Sequence, residues 1–118
     1  MKLDHIALIV SSEDNLMFYK QLGFNEFKRI ERDYDVIVFM KKDGIVLEIF
    51  VDGTHPDRLM KPEAKGVRYI GFTVEDFEVI VDRLNCEKIN TDWFGRRYVL
   101  INDMDGQPIE IIESESVL

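Results

Sequence analysis

Apolar positions along the chain fall into short runs with two different periods. Residues 3–10 and 67–74 are β-rich apolar runs of strand length. After the first, Ser11-Ser12-Glu13-Asp14 supplies a hydroxyl cap and first-turn acids, the opening of a helix. Leu16, Tyr19 and Leu22, with Phe18 beside them, give that helix its apolar face, and Gly23 ends it. Glu75 and Asp76 open a second helix, with Phe77, Ile80, Val81 and Leu84 at i, i+3, i+4 and i+7. Asn85 is its predicted terminator. Three extended runs follow each helix: 26–30, 35–41 and 45–51, then 87–91, 97–102 and 107–113. Lys42-Asp43-Gly44 and Met104-Asp105-Gly106 read as tight turns between the last two strands of each set.

The two sets are copies of one unit. Asp4-His5-Ile6-Ala7-Leu8-Ile9-Val10 aligns with Arg68-Tyr69-Ile70-Gly71-Phe72-Thr73-Val74, a shift of 64 positions from 4 to 68. Asp43-Gly44-Ile45-Val46-Leu47-Glu48-Ile49-Phe50 aligns with Asp105-Gly106-Gln107-Pro108-Ile109-Glu110-Ile111-Ile112, a shift of 62 from 43 to 105. Matching order and nearly equal shifts indicate a duplicated β-α-β-β-β unit of about 60 residues. The expected fold class is α+β, with module one at about 1–51, a linker at about 52–66 and module two at about 67–113. The linker carries Pro56 and Pro62, with glycines at its ends. A four-stranded sheet with one helix on one face leaves its other face needing cover. In the first strand Ile6, Leu8 and Val10 point one way and His5, Ala7 and Ile9 the other. Both faces are largely apolar, so the His5 face is expected to curl over the other copy or a ligand.

Composition narrows the partners. At 118 residues the chain suits one domain, and 46% apolar residues are enough for a core. Fifteen basic against 23 acidic residues give a net charge of −8, which argues against nucleic acid or an anionic membrane as the main partner. No apolar run approaches the ~18 residues of a bilayer span, and the acid and imidazole at Asp4 and His5 do not suit a secretory signal. A single cysteine, Cys86, fits a reducing cytoplasm. No phosphate-binding glycine loop, cysteine pair or serine elbow is present.

Three polar residues interrupt apolar strands: His5, Glu48 and Glu110. A carboxylate among aliphatic neighbours is costly unless paired or metal-bound. Glu48 and Glu110 hold the same position in the two copies, which an approximate twofold would turn toward one cleft. Two carboxylates and an imidazole converging there would form a site for a divalent ion with N/O ligands. His55 lies in the linker and reads as a solvated loop residue.

Four stretches carry a family resemblance: Leu3-Asp4-His5-Ile6-Ala7-Leu8-Ile9-Val10-Ser11, Phe18-Tyr19-Lys20-Gln21-Leu22-Gly23-Phe24, Pro56-Asp57-Arg58 with Pro62-Glu63-Ala64, and Asp105-Gly106-Gln107-Pro108-Ile109-Glu110. The chain resembles the vicinal oxygen chelate superfamily, the glyoxalase I, bleomycin-resistance and extradiol dioxygenase group, and within it the small bacterial lactoylglutathione lyase-like branch. The resemblance implies paired βαβββ modules forming a curved mixed β-sheet cup with helices outside, and a homodimer. It also implies a divalent metal (Zn, Ni, Mn or Fe) held from the first and last strands of each module. His5, Glu48 and Glu110 fall on three of those positions, and Tyr69 stands at the fourth, where histidine is usual. A neutral phenol is a poor ligand, since forming phenolate at neutral pH needs strong help from the metal.

Two functions follow from the resemblance. One is glyoxalase I-like, metal-assisted proton transfer on a small substrate with vicinal oxygens, with Glu110 as the catalytic base. Extradiol cleavage fits poorly, because the chain has two histidines and one is in the linker. The alternative is a metal-free cup that sequesters a small molecule, as bleomycin-resistance proteins do. Tyr69, Trp93, Phe94, Tyr98 and Phe39 are candidate aromatic lining, and Arg96 and Arg97 are candidate partners for a ligand anion. Glutathione would bring two carboxylates, for which only Arg96, Arg97 and Arg58 stand out as receivers. Weak activity toward its methylglyoxal hemithioacetal is therefore expected.

Overall fold

The computed structural model describes residues 1–114. The chain divides into two compact units, Met1–Asp57 and a second beginning at Arg58, so the boundary falls inside the expected linker. Each unit contains one four-stranded mixed sheet and one short helix, an α+β fold with no closed barrel.

In the first unit the elements are β1 (Ile6–Val10), α1 (Leu16–Gln21), β2 (Asn25–Glu31), β3 (Val36–Lys42) and β4 (Ile45–Val51). The sheet order is β1-β4-β3-β2, with β1 parallel to β4 and the other pairs antiparallel. Residues 3–5 lie before β1, so the strand is shorter than the apolar run suggests. The expected helix start is divided: Ser12 accepts from the Asp14 N–H and caps a 3-10 turn at Glu13–Asn15, and α1 begins only at Leu16. Gly23, at φ 101°, takes the left-handed conformation that ends the helix. Val10, Leu16, Tyr19, Val38, Met40, Leu47 and Ile49 form the core between helix and sheet. Asp43 (φ 50°) and Gly44 (φ 81°) make the two-residue turn between β3 and β4, as expected. Every residue of β2 is exposed, and a bulge between Glu26 and Lys28 interrupts its pairing. Its charged side chains and bulge are the usual protection of a sheet edge.

The second unit repeats the plan: β5 (Ile70–Val74), α2 (Phe77–Arg83), β6 (Asn90–Thr91), β7 (Arg97–Asn102) and β8 (Pro108–Glu113). Its order, β5-β8-β7-β6, is the same, with β5 parallel to β8. The register repeats as well: Ala7 faces Glu48 in the first unit, and Gly71 faces Glu110 in the second. Phe77, Ile80 and Val81 bury the apolar face of α2, and Asn85 at φ 53° ends it.

Other details also differ from the expected pattern, and β5 begins at Ile70, later than its apolar run suggests. The run 87–91 yields only Asn90–Thr91 as strand, because an edge strand opposite Arg97 and Tyr98 needs no more length and Glu87-Lys88 is charged. The turn at Met104-Asp105-Gly106 is not a two-residue hairpin. Asn102 pairs with Pro108, leaving a five-residue loop. Asp103 organises it, its Oδ1 accepting from the N–H groups of Asp105 and Gln107.

Candidate functional site

In the first unit, pleating separates the residues of β1 and β4 onto two faces. Leu47 and Ile49 go to the helix side, whereas Glu48 and Phe50 share the other side with His5, Ala7 and Ile9. Phe39, directly opposite Glu48 in β3, belongs to this face; its ring lies 6.0 Å from that of Phe27. The His5 Nδ1 is 2.7 Å from Oδ2 of Asp4, and its Nε2 is 3.7 Å from Oε1 of Glu48. Donation from Nδ1–H to Asp4 is the tautomer that leaves a lone pair on Nε2, on the side of Glu48. Metal-binding histidines are commonly oriented by such a carboxylate on the far nitrogen.

Beside this pair lies a cavity of about 530 Å³ lined by Ala7, Ile9, Phe50, Arg32, Tyr34 and Asp52, among others. Arg32 closes the β2–β3 hairpin. Its Nε donates to Asp35 Oδ1 at 2.6 Å, its Nη2 donates to Oδ2, and its guanidinium lies 4.5 Å from the Tyr34 ring centre and 5.7 Å from that of Phe50. The hydrogen bonds from Arg32 hold the Asp35 carboxyl below its ordinary range. His55, exposed in its loop, stands at the rim of this cavity with Nε2 3.4 Å from Asp52 Oδ2.

In the second unit the equivalent face carries Tyr69, Gly71 and Thr73 with Glu110, Ile112 and Tyr98. They line a cavity of about 490 Å³ together with Trp93, Phe94 and Arg96. Glu110 is buried, at 9% exposure, in the middle of β8. The Tyr69 hydroxyl hydrogen-bonds its carboxylate. The negative charge of Glu110, then that hydrogen bond and desolvation, push the phenol above its ordinary range. Tyr69 is therefore a neutral donor at physiological pH.

The 92–96 loop builds one wall of this cavity. Asp92 Oδ1 accepts from the N–H groups of Phe94 (2.9 Å) and Arg96 (2.8 Å), and Oδ2 accepts from Arg96 Nε at 2.8 Å. Burial raises the Asp92 pKa, but these hydrogen bonds outweigh it and leave the carboxyl below the usual range. Arg97 points to the opposite face. Its guanidinium bonds Glu113 and Glu78 and lies over the Phe77 ring of α2, outside the Tyr69–Glu110 cavity. Strand alternation separates it from Arg96. Arg58 is likewise occupied, donating to the carbonyls of Val67 and Arg68 and to Gln107.

The expected site residues thus form one pair in each unit, His5 with Glu48 and Tyr69 with Glu110. Among the described residues, no group of three His, Cys, Asp or Glu side chains is gathered for a metal. The donor chemistry still suits a divalent ion at three of the four positions, with an oriented imidazole and two carboxylates; the neutral phenol does not suit it. Sequence reasoning missed the Arg32–Asp35 pair and the partnership of Asp92 with Arg96. The Asp92…Gly95-Arg96 spacing, an Asx-type turn before a strand, was the available signal.

Residues 2–111 match the model of the Glyoxalase/Bleomycin resistance protein/Dioxygenase superfamily. The chain belongs to that superfamily. It is 34% identical to the uncharacterized protein YwkD of Bacillus subtilis (strain 168), over 94% of this chain and 95% of YwkD. The crystal structure of a glyoxalase family protein from Enterococcus faecalis is similar, with TM-score 0.85 and 30% identity over 95% of this chain and 97% of that one. A lactoylglutathione lyase from Agrobacterium tumefaciens shares the fold, with TM-score 0.69 and 21% identity over 97% of this chain and 94% of the lyase. No helix of the described residues is long and apolar enough to cross a membrane.

Proposed function

We propose that this chain is a glyoxalase I-like (lactoylglutathione lyase-like) enzyme that moves a proton between adjacent carbons of a small substrate with vicinal oxygens, assisted by a divalent metal. The observation that carries the reading is His5, whose Nδ1 is engaged by Asp4 while Nε2 faces Glu48. In this proposal His5, Glu48 and Glu110 hold the ion. When bound, the metal supplies Lewis-acid stabilisation of negative charge on the substrate oxygens. Glu110 takes the proton from one carbon and returns it to the next. Tyr69 donates to Glu110 instead of ligating.

The test is calorimetric titration of chelator-stripped protein with Zn²⁺, Ni²⁺ and Mn²⁺. Binding of one ion per site is expected, and loss of that binding in His5→Ala. Absence of any binding would favour the second reading, a metal-free small-molecule binding cup. That reading gains from the hydrogen bond by which Tyr69 occupies Glu110. Arg97 and Arg58 being engaged elsewhere, one cation of the expected three faces the Tyr69–Glu110 cavity. Turnover of the glutathione hemithioacetal of methylglyoxal is accordingly expected to be weak.

The same proposal includes a cytoplasmic homodimer. Ile9 and Phe27 in the first unit, and Tyr69 and Leu100 in the second, are exposed on sheet faces that carry the candidate residues. Light scattering is expected to return twice the 13.9 kDa of one chain. A monomer at micromolar concentration would contradict it.

A further inference from the structure

We propose that Arg96 anchors the ligand of the second unit's cavity by receiving a carboxylate, which makes small carboxylic acids with a planar apolar body the ligand class. The Arg96 side chain is 7% exposed, yet it lines the cavity. A guanidinium has five N–H donors. Asp92 Oδ2 takes the one on Nε, and no acceptor among the described residues takes those on the two terminal amino groups. A nearly buried cation with its fork unfilled is a receiver for two oxygens in one plane, the geometry of a carboxylate. Asp92 fixes the fork from behind while its own carboxylate is filled by Phe94 and Arg96 N–H groups.

The duplication provides an internal contrast. In the first unit Arg32 closes the equivalent hairpin, but Asp35 takes both its Nε and its Nη2; both guanidiniums lie against aromatic rings, Arg32 against Tyr34 and Phe50 and Arg96 5.6 Å from the Phe94 ring centre. Asp35 thus spans one two-donor edge of Arg32, whereas Asp92 takes only Nε of Arg96 and leaves both terminal amino groups to a ligand. Elsewhere in the second cavity the Glu110 carboxyl is already engaged by Tyr69, so Arg96 is the cationic group the cavity offers to a ligand. Trp93 and Tyr98 offer faces for the body of the ligand, and Phe94 lies against the Arg96 guanidinium itself. The assignment rests on the reading of this chain as a small-molecule protein, but it needs no metal.

Trp93 is the single tryptophan and lines the cavity, so its fluorescence reports occupancy. Metal-free protein titrated in chelator with benzoate is expected to bind it about tenfold or more tightly than benzyl alcohol, which has the same ring without the charge. Arg96→Gln is expected to remove that advantage and leave benzyl alcohol unchanged, and Arg96→Lys to restore part of it. Equal affinity for the two probes, or no benzoate signal up to about 50 mM, would overturn the proposal. So would unchanged benzoate binding in Arg96→Gln, or inorganic phosphate binding more tightly than benzoate. If circular dichroism shows Arg96→Gln unfolded, the two probes on the unmodified protein decide. Metal titration is read separately, so loss of the metal reading with benzoate selectivity intact is a distinct result.

Discussion

Glu110→Gln is expected to abolish proton transfer, a loss of roughly 10²–10⁴-fold, while substrate affinity changes little. The amide has the shape of the carboxylate, and its oxygen can still accept from Tyr69. It has no proton affinity to serve as a base near neutral pH. The position favours a clean comparison, because Glu110 sits mid-strand in β8, with Gly71 and Leu100 as its register partners, where the backbone is held from both sides. Exchange of substrate carbon-bound hydrogen with deuterated solvent measures the step directly, and metal content measured alongside separates lost base from lost ligand. Full turnover in Glu110→Gln would mean that another group moves the proton.

The fold was legible because its signals were local and occurred twice. Strand-length apolar runs, the Gly23 stop and the Asp43-Gly44 turn each had a direct counterpart in the structure, and the repeat made each copy a check on the other. What failed were boundaries set by side chains outside the run in question. The loop after β7 is longer than a tight turn because Asp103 captures two N–H groups, a choice that Met104-Asp105-Gly106 alone does not reveal. Alternation also separates Arg96 from Arg97, although both stood as candidate partners for a ligand anion. The Asp92–Arg96 and Arg32–Asp35 pairs depended on hairpin closure, which brings residues three or four apart into contact without any apolar period to announce them. For the candidate site, the equivalence of Glu48 and Glu110 was visible from spacing. The engagement of His5 by Asp4 and of Glu110 by Tyr69 was not, since both are matters of side-chain orientation.

Tyr69→His is expected to raise affinity for Zn²⁺, Ni²⁺ or Mn²⁺ on the order of 10–100-fold. In the native chain a metal at this position would have to displace a phenolic proton. The Glu110 charge makes that proton harder to remove than in an ordinary tyrosine. The same hydroxyl occupies the Glu110 carboxylate, so one side chain weakens two ligand positions at once. A neutral imidazole offers a lone pair without ionising, and its loss on protonation near its ordinary pKa of ~6.5 gives the gain a signature. The gain should be full above about pH 7 and shrink below about pH 6 as the new imidazole charges. Tyr69→Phe separates the two effects, because it frees Glu110 without adding a ligand and should recover only part of the increase. Calorimetry on chelator-stripped native protein and both variants makes the measurement. Equal affinity in the native chain and Tyr69→His would remove Tyr69 from the metal-binding positions altogether.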